Sequence, residues 1–359
     1  MEQTMVRTSE RGTFKRCPQK WWWSSVEGLA PKEPSKALWF GSNWHIVMAD
    51  YYQPGKKRSK DYIDLWRQLC DEPSADGLYL PAHEYGEDWV EARTMGESML
   101  TEYVKEYQGD KHWDVIQTEM SGSVMIPTWD GTGKFQYNFT FDGVFRDTNT
   151  RKIELMEHKT AKVISINHLT LDDQGLSYWA VAGTILRKSG VLKPKEQIKA
   201  IRYNFAAKRM PDLRPIGPDG QRRNKPTKPQ YLEQLGIEEP KGWTVEKLEA
   251  EAKKRKVVVL GDISKNQPQP MFKRHPVLHT PSERAETIDQ IKKEHAVMEG
   301  MRRGDIPVFK VPDASCSWQC PFFTMCELHQ ARGDVEGFAK AVFNKRDVHE
   351  VYKQDRKVA

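Results

Sequence analysis

The sequence predicts an α/β chain in which a small mixed sheet is flanked by helices, with cysteines near both chain ends as candidates for one shared metal-type site. Three observations lead there. Apolar residues recur at helical spacing through most of the first hundred residues. The period then changes to alternation over three consecutive stretches between 115 and 160, followed by an amphipathic helix and a further strand. Lastly, four of the five cysteines sit near the termini, Cys17 at one end and Cys316, Cys320 and Cys326 at the other.

Composition sets the outer limits. The 359 residues are 38% hydrophobic and 30% charged, polar for a globular protein but well short of a disordered composition. That length suits one large domain with insertions, or two domains. A net charge of +6 is compatible with a polyanionic partner without requiring one. The 12 Trp are abundant, and Trp both fills cores and stacks on bases. No 18-residue apolar run exists, which excludes a membrane-spanning helix. The opening "MEQTMVRTSERGTF" has no apolar signal core, so a cytoplasmic chain is expected. Five cysteines in a reducing compartment argue against a disulfide framework.

Element by element, Ser9 is placed to cap a short helix through "ERGTFKR" that stops at Cys17-Pro18. A second helix is predicted from about 35 to 52, with Gly41, His45 and Met48 on one face. Residues 60–72 and 87–108 also read as helices. The stretches 115–126, 134–145 and 152–160 are expected to be consecutive antiparallel strands, the last two joined by the Asp/Asn/Thr-rich turn 146–151. A helix capped by Asp172 or Asp173 should run to about Lys188, and 197–209 should be a strand. Residues 210–275 are dense in Pro, Lys and Arg and read as an insertion with one helix near 245–256. It is either a solvated appendage or a basic flap over a phosphate backbone. A charged helix is expected over 281–303. The domain plan is thus 1–209, 210–275 and 276–359.

The run "RKIELMEHKTAK" (151–162) carries the chemistry. Alternation puts Glu157 and Lys159 on the same strand face as Ile153 and Leu155. A hairpin brings Asp142, at the end of the preceding strand, within range of Glu157. Two converging carboxylates repel unless a divalent cation neutralises them. A neighbouring lysine orients water and stabilises charge in a transition state. Acidic pairs with Mg²⁺ are a common phosphodiester-cutting arrangement. His45 is either a further ligand or an ordinary core or surface histidine. Gln174 and Tyr178, one helical turn apart, either face the same space or form a plain polar pair.

The pattern Asp142, Glu157-His158-Lys159 and Gln174-x-x-x-Tyr178, preceded by Gly41-x-x-x-His45, resembles the PD-(D/E)xK nucleases. More narrowly, it is similar to the RecB-like exonucleases, including CRISPR-associated and AddB-like iron–sulfur members, in a phage-type form. The resemblance spans about 9–209 and 276–330. It implies a restriction-endonuclease-like core and metal-dependent DNA cleavage, most simply by an exonuclease. It further implies Mg²⁺ or Mn²⁺ ligation by Asp142, Glu157, His45 and the His158 backbone carbonyl. Lys159 would be the catalytic lysine, and Gln174 and Tyr178 would position DNA. On this reading the polar pair faces a metal-and-DNA cleft at the sheet edge.

Cys316-x3-Cys320-x5-Cys326 forms a dense triplet whose fourth partner is Cys17 or, in a Cys3His zinc site, His329. Four thiolates equally suit an iron–sulfur cluster. The resemblance implies the latter, a 4Fe-4S cluster on Cys17, Cys316, Cys320 and Cys326, although the x3 gap departs from the usual two-residue one. Such a clip staples the chain ends together. Cys70 is left over as a buried thiol. DNA is the expected partner, single-stranded or end-bearing, with a helicase, recombinase or integrase as a possible protein partner. The rival readings are a zinc-stapled endonuclease and a non-catalytic DNA-binding subunit of a recombination or spacer-acquisition complex.

Overall fold

The computed structural model describes residues 4–75 and 77–347. Two compact units make up the chain: Arg209–Met271, and the remaining residues together. In the larger unit, β1 (Met5–Arg7) leads directly into α1 (Thr8–Arg16). The helix begins just before Ser9, because Arg7 holds the capping position and its N–H is taken by Glu10 Oε2 at 3.3 Å. Cys17 is extended, as a residue before proline should be, and Pro18 opens α2 (Pro18–Trp21). One π turn, Trp22–Val26, then leads to β2 (Leu29–Pro31).

α3 (Lys36–Tyr51) starts where Ser35 accepts a hydrogen bond from the Leu38 N–H. Its buried face carries Trp39, Phe40, Asn43, Trp44, Val47, Met48 and Tyr51, the i, i+3, i+4 pattern of a core-facing helix. α4 (Tyr62–Asp71), the one-turn α5 (Ala82–Tyr85) and α6 (Glu87–Tyr107) complete the helical region. There α4 lies close on α6 because Gly96 has no side chain: a Cβ would stand 1.9 Å from the Trp66 indole.

The alternating stretches form β3 (Trp113–Pro127), β4 (Lys134–Asp147) and β5 (Ile153–Ala161), paired antiparallel in succession. In the β4–β5 turn Asp147 Oδ1 accepts from the N–H groups of Asn149 and Thr150, both at 2.9 Å. α7 (Asp173–Lys188), capped by Asp172, carries the chain over to β6 (Ile198–Ala207), which lies parallel to β5.

The smaller unit holds α8 (Lys228–Leu235) and α9 (Val245–Arg255), packed through Tyr231, Leu235, Leu248, Ala252 and Val259. The expected single helix is therefore two. α8 escaped notice because its start is a proline-containing capping box, Thr227 with Gln230. The boundary expected at 275 falls at 271, because β7 (Phe272–Val277) adds to the sheet antiparallel to β6. α10 (Pro281–Arg303), α11 (Cys316–Gln319), α12 (Phe323–Gln330), α13 (Val335–Val342) and β8 (Phe343–Lys345) follow, and β8 pairs with β2.

The main sheet runs β1-β4-β5-β6-β7, with β3 pairing β4 along nearly its whole length. Its core combines Tyr137, Phe139, Phe141, Leu155, Ile201 and Tyr203 with Val181 and Ile185 of α7 and Ile291 and Met298 of α10. A second cluster, Trp23, Leu29, Phe322, Met325 and Phe343, joins the two ends of the chain. Among the described residues no helix is long and apolar enough to cross a membrane.

Candidate active site

The strands themselves open the site. β4 and β5 pair only as far as Gly143 and Met156, whereas β5 continues beside β6 to Ala161 and Ala207. Asp142 and Glu157 are next in register where the strands part. The expected cleft at the sheet edge is instead a split beside β5, an interior strand. That explains why Glu157 is only 1% exposed and Asp142 9%.

Around the split the predicted residues converge. His45 Nδ1, from α3, lies 3.2 Å from Asp142 Oδ1. Asp142 Oδ2 accepts the His158 backbone N–H at 2.6 Å. Lys159 Nζ donates to Glu157 Oε1 and to Gln174 Oε1, each at 2.6 Å, and Gln174 Nε2 donates to the Tyr178 hydroxyl at 2.9 Å. One chain of contacts thus runs from β5 into the first turns of α7. α7 is anchored there by Asp172, which accepts from the Gly175 N–H at 3.0 Å and from the Tyr203 hydroxyl at 2.8 Å.

Electrostatics sort these groups. Burial opposes charge on His45, but Asp142, Glu157 and Glu119 outweigh it and push the imidazole up to about 9. Burial and the Asp142 charge raise the Glu157 carboxyl, against the pull of Lys159. Burial would raise Asp142 as well, but His45 and the His158 N–H hold it below the ordinary carboxylate range. Despite burial, Glu157 raises Lys159, which therefore stands as an ammonium. Two adjoining carboxylates pushed in opposite directions mark a site short of positive charge.

A divalent cation fits that shortage. Glu157 Oε2 is buried and has no hydrogen-bond partner among the described residues. Gly41 keeps the approach open: a Cβ there would meet nothing closer than Thr160 Oγ1 at 3.9 Å. The opening continues into a groove lined by Ala37, Leu38, Gly41, Ser42, Ile46 and Glu119.

Sequence reasoning missed two parts of this site. Glu119 of β3 joins His45 and Asp142 in a triplet whose ligand atoms lie within 4.8 Å of one another. Behind the split, Arg274 of β7 binds Asp110, stacks over Tyr107 and Trp113, and donates to Asn204 Oδ1 at 3.2 Å. Asn204 in turn holds His158 Nδ1 at 2.9 Å, and burial drives that imidazole down to about 3. No local pattern links residues so far apart in the chain.

The four predicted cysteines also meet. Cys17, Cys316, Cys320 and Cys326 line one pocket together with Arg16, Lys20 and Lys310. Burial pushes Cys326 up to about 11, with Lys310 opposing, and raises Cys320. His329 is not among the residues lining that pocket and instead meets Trp23 edge-on. Cys70 is a buried thiol contacted by the Asn43 amide.

A family model described as the PD-(D/E)XK nuclease superfamily matches residues 8–327. No curated protein matches the chain. Among solved structures, one titled "Crystal structure of SSO0001" is similar at 10% identity with a TM-score of 0.23, the match covering 57% of this chain and 63% of that one. The chain thus spans less than two thirds of that structure.

Proposed function

Because the chain belongs to the PD-(D/E)XK nuclease superfamily, whose members are metal-dependent nucleases, we propose that it is a DNA exonuclease of the RecB-like kind, with a structural 4Fe-4S cluster, acting in DNA recombination, repair or processing. The observation that carries this reading is the position of Lys159 Nζ, 2.6 Å from both Glu157 and Gln174 at the end of a split that also holds Asp142 and His45. An inactive descendant would have no reason to keep that ammonium between those two oxygens.

Asp142, Glu157, His45 and the His158 carbonyl would hold Mg²⁺ or Mn²⁺. When bound, the ion lowers the pKa of water and neutralises phosphate charge. The residues of the chain do the rest. Lys159, already cationic, offers charge to the scissile phosphate and not a base to water. Gln174 fixes the ammonium, and Tyr178, hydrogen-bonded to Gln174, extends that line toward the strand. Asp142 is oriented by the His158 N–H, so β5 positions both carboxylates.

Cys17, Cys316, Cys320 and Cys326 would hold the cluster. Cys17 lines the same pocket as the C-terminal triplet and His329 does not, which favours Cys17 as the fourth ligand, and four thiolates are the usual ligand set of such a cluster.

The test is anaerobic purification followed by digestion of end-labelled linear DNA and of closed circular DNA with Mn²⁺. Release of label with the circle left intact is expected. Cutting of the circle would make the protein an endonuclease, and no cutting of either would remove the catalytic reading.

A further inference from the structure

We propose that the far half of α7 carries a second ligand site, one that takes a nucleoside phosphate, either free or as part of a strand. None of its residues belongs to the split or to the four-cysteine pocket.

The helix itself separates the two sites. At about 100° per residue, Gln174 and Tyr178 share one face of α7, and Trp179, Gly183 and Arg187 fall on the opposite face at i, i+4 and i+8. On that opposite face a cavity of about 480 Å³ opens, lined by Trp179, Gly183, Arg187, Lys195 and Arg284 among others. Ligand pockets usually measure about 300–1,000 Å³. Three of the lining residues are cations, and none is Asp or Glu.

Both arginines are fixed in place by groups that carry no charge. Arg284 Nε donates to the Ala180 carbonyl at 2.7 Å, and Arg284 Nη2 donates to Thr184 Oγ1 at 2.8 Å, which ties α10 to α7. Arg187 Nη1 donates to the Glu196 carbonyl at 3.1 Å. Its guanidinium lies over Gly183, where a Cβ would stand 3.1 Å from Nη2. Among the described residues, Arg187, Lys195 and Arg284 form no ion pair. The carboxylates next to them in sequence are spent elsewhere. Glu196 takes Arg146 and the Lys193 N–H, each at 2.8 Å, and Glu283 takes the Thr280 N–H at 2.5 Å. Two immobilised guanidiniums with N–H donors to spare make a receptor for an anion, and phosphate matches their fork bidentately.

Trp179 supplies the rest of the specificity. Its indole forms one wall of the cavity and is backed by the His279 ring, whose centroid lies 5.5 Å away. An indole wall takes a nucleobase by stacking. A bare inorganic anion would use the arginines and leave the indole idle, so a phosphate beside an aromatic plane describes a nucleotide.

Calorimetric titration of the full chain in EDTA, which keeps divalent ions out of the split, tests this. The probes are deoxyadenosine 5′-monophosphate, deoxyadenosine, inorganic phosphate and a 5′-phosphorylated oligodeoxyadenylate. The monophosphate should bind once per chain, and the nucleoside without phosphate should not bind measurably. Arg187→Met and Arg284→Met should each weaken the monophosphate roughly tenfold or more, the effect of losing a charged hydrogen bond. Trp179→Leu should weaken the monophosphate and leave inorganic phosphate unchanged. Lys195 is exposed, so Lys195→Gln is expected to fold and to weaken binding in the same direction even where an arginine variant loses stability. Parallel loss of oligonucleotide binding would identify a strand as the source of the phosphate, and loss confined to the monophosphate would identify the free nucleotide. Monophosphate binding that survives all three cation variants but is lost in Lys159→Ala would put the nucleotide in the split and overturn this site. A wild type that binds no monophosphate would overturn it as well. Cleavage of end-labelled DNA should persist in the cation variants, so failure of this site leaves the nuclease reading standing.

Discussion

Lys159 shows how much one residue does here. It bridges a buried carboxylate and the helix that carries Gln174, and it stays charged because Glu157 outweighs its burial. Replacing it with Ala should cut the rate of cleavage at saturating Mn²⁺ by roughly 10²–10³, with DNA binding nearly intact. A single-turnover rate close to wild type would remove Lys159 from the catalytic set. His295 is the opposite kind of residue, titratable and structural. It stacks on Phe135 at 3.7 Å, receives Thr4, and burial drives it down to about 4. Arg302 and Arg303 push it the same way, and Glu299 opposes. The folded protein therefore refuses a proton that the unfolded chain accepts below about pH 6.5. Its contribution is fully present above pH 6.5 and is lost progressively as pH falls to about 4, by ~3 kcal/mol. Urea unfolding across that range should show the acid loss in the wild type, and His295→Leu should remove about one proton from the slope. An unchanged slope would mean the ring is protonated in the fold. Of the site residues, Asp142, Glu157, Lys159, Gln174 and Tyr178 were legible through the motif that carries the family resemblance, whose parts lie on one hairpin and the helix after it; the turn alone left the register of Asp142 and Glu157 open, and Gln174 and Tyr178 read equally as a plain polar pair. Glu119 was not: in "VIQTEMSGS" it reads as one more outward polar residue, and its left-handed φ of 44° leaves no trace in the alternation.

At the scale of elements, what the sequence revealed was whatever depends on near neighbours. The periods of α3, α6, α7 and α10 and the alternation of β3 to β5 are local, and their positions came close to expectation. The short strands β1, β2 and β8 were invisible, since three residues cannot show a period and their partners are remote in sequence. β7 was hidden by Pro276 and by a composition that matches the insertion before it. Cys17 sits at a junction of this kind, where α1 stops and α2 begins. If the four cysteines hold the proposed cluster, replacing Cys17 with Ser should lower iron content and absorbance near 400 nm and destabilise the joint between the chain ends. Buried Trp23, Leu29, Phe322, Met325 and Phe343 remain packed there, each contributing about 1.5–3 kcal/mol. Partial loss is therefore expected: a lower melting temperature and faster proteolysis of the C-terminal helices, with the sheet still folded. Full iron and an unchanged melting temperature would show that Cys17 is no ligand.

For the molecule as a whole, charge and organisation point to Arg209–Met271. This unit carries 13 Lys or Arg against 9 Asp or Glu, most of the net excess of the chain. Much of its arginine is already committed internally. Arg214 pairs with Asp212, Arg223 with Asp219, and Arg255 with Glu251 and the Leu235 carbonyl. The lysines at the end of α9 differ: Lys253, Lys254 and Lys256 are exposed, and Lys254 comes only within 4.0 Å of Glu251. Composition announced a basic insertion but could not separate spent charges from available ones, because that division depends on which side chains fold back on the unit. If the unit contacts DNA, these three lysines are the ones that displace counterions. Replacing them with Ser, and leaving Arg255 to hold α8, should lower the slope of log affinity against log salt by about 0.7 per lost contact on a single strand. Cleavage at saturating DNA should hold steady, since phosphate contacts position a strand without performing chemistry. Melting temperature should also hold, because exposed lysines contribute little to folding. A slope identical to the wild type would place these lysines off the DNA path and leave the unit as a solvated appendage or a docking surface for a protein.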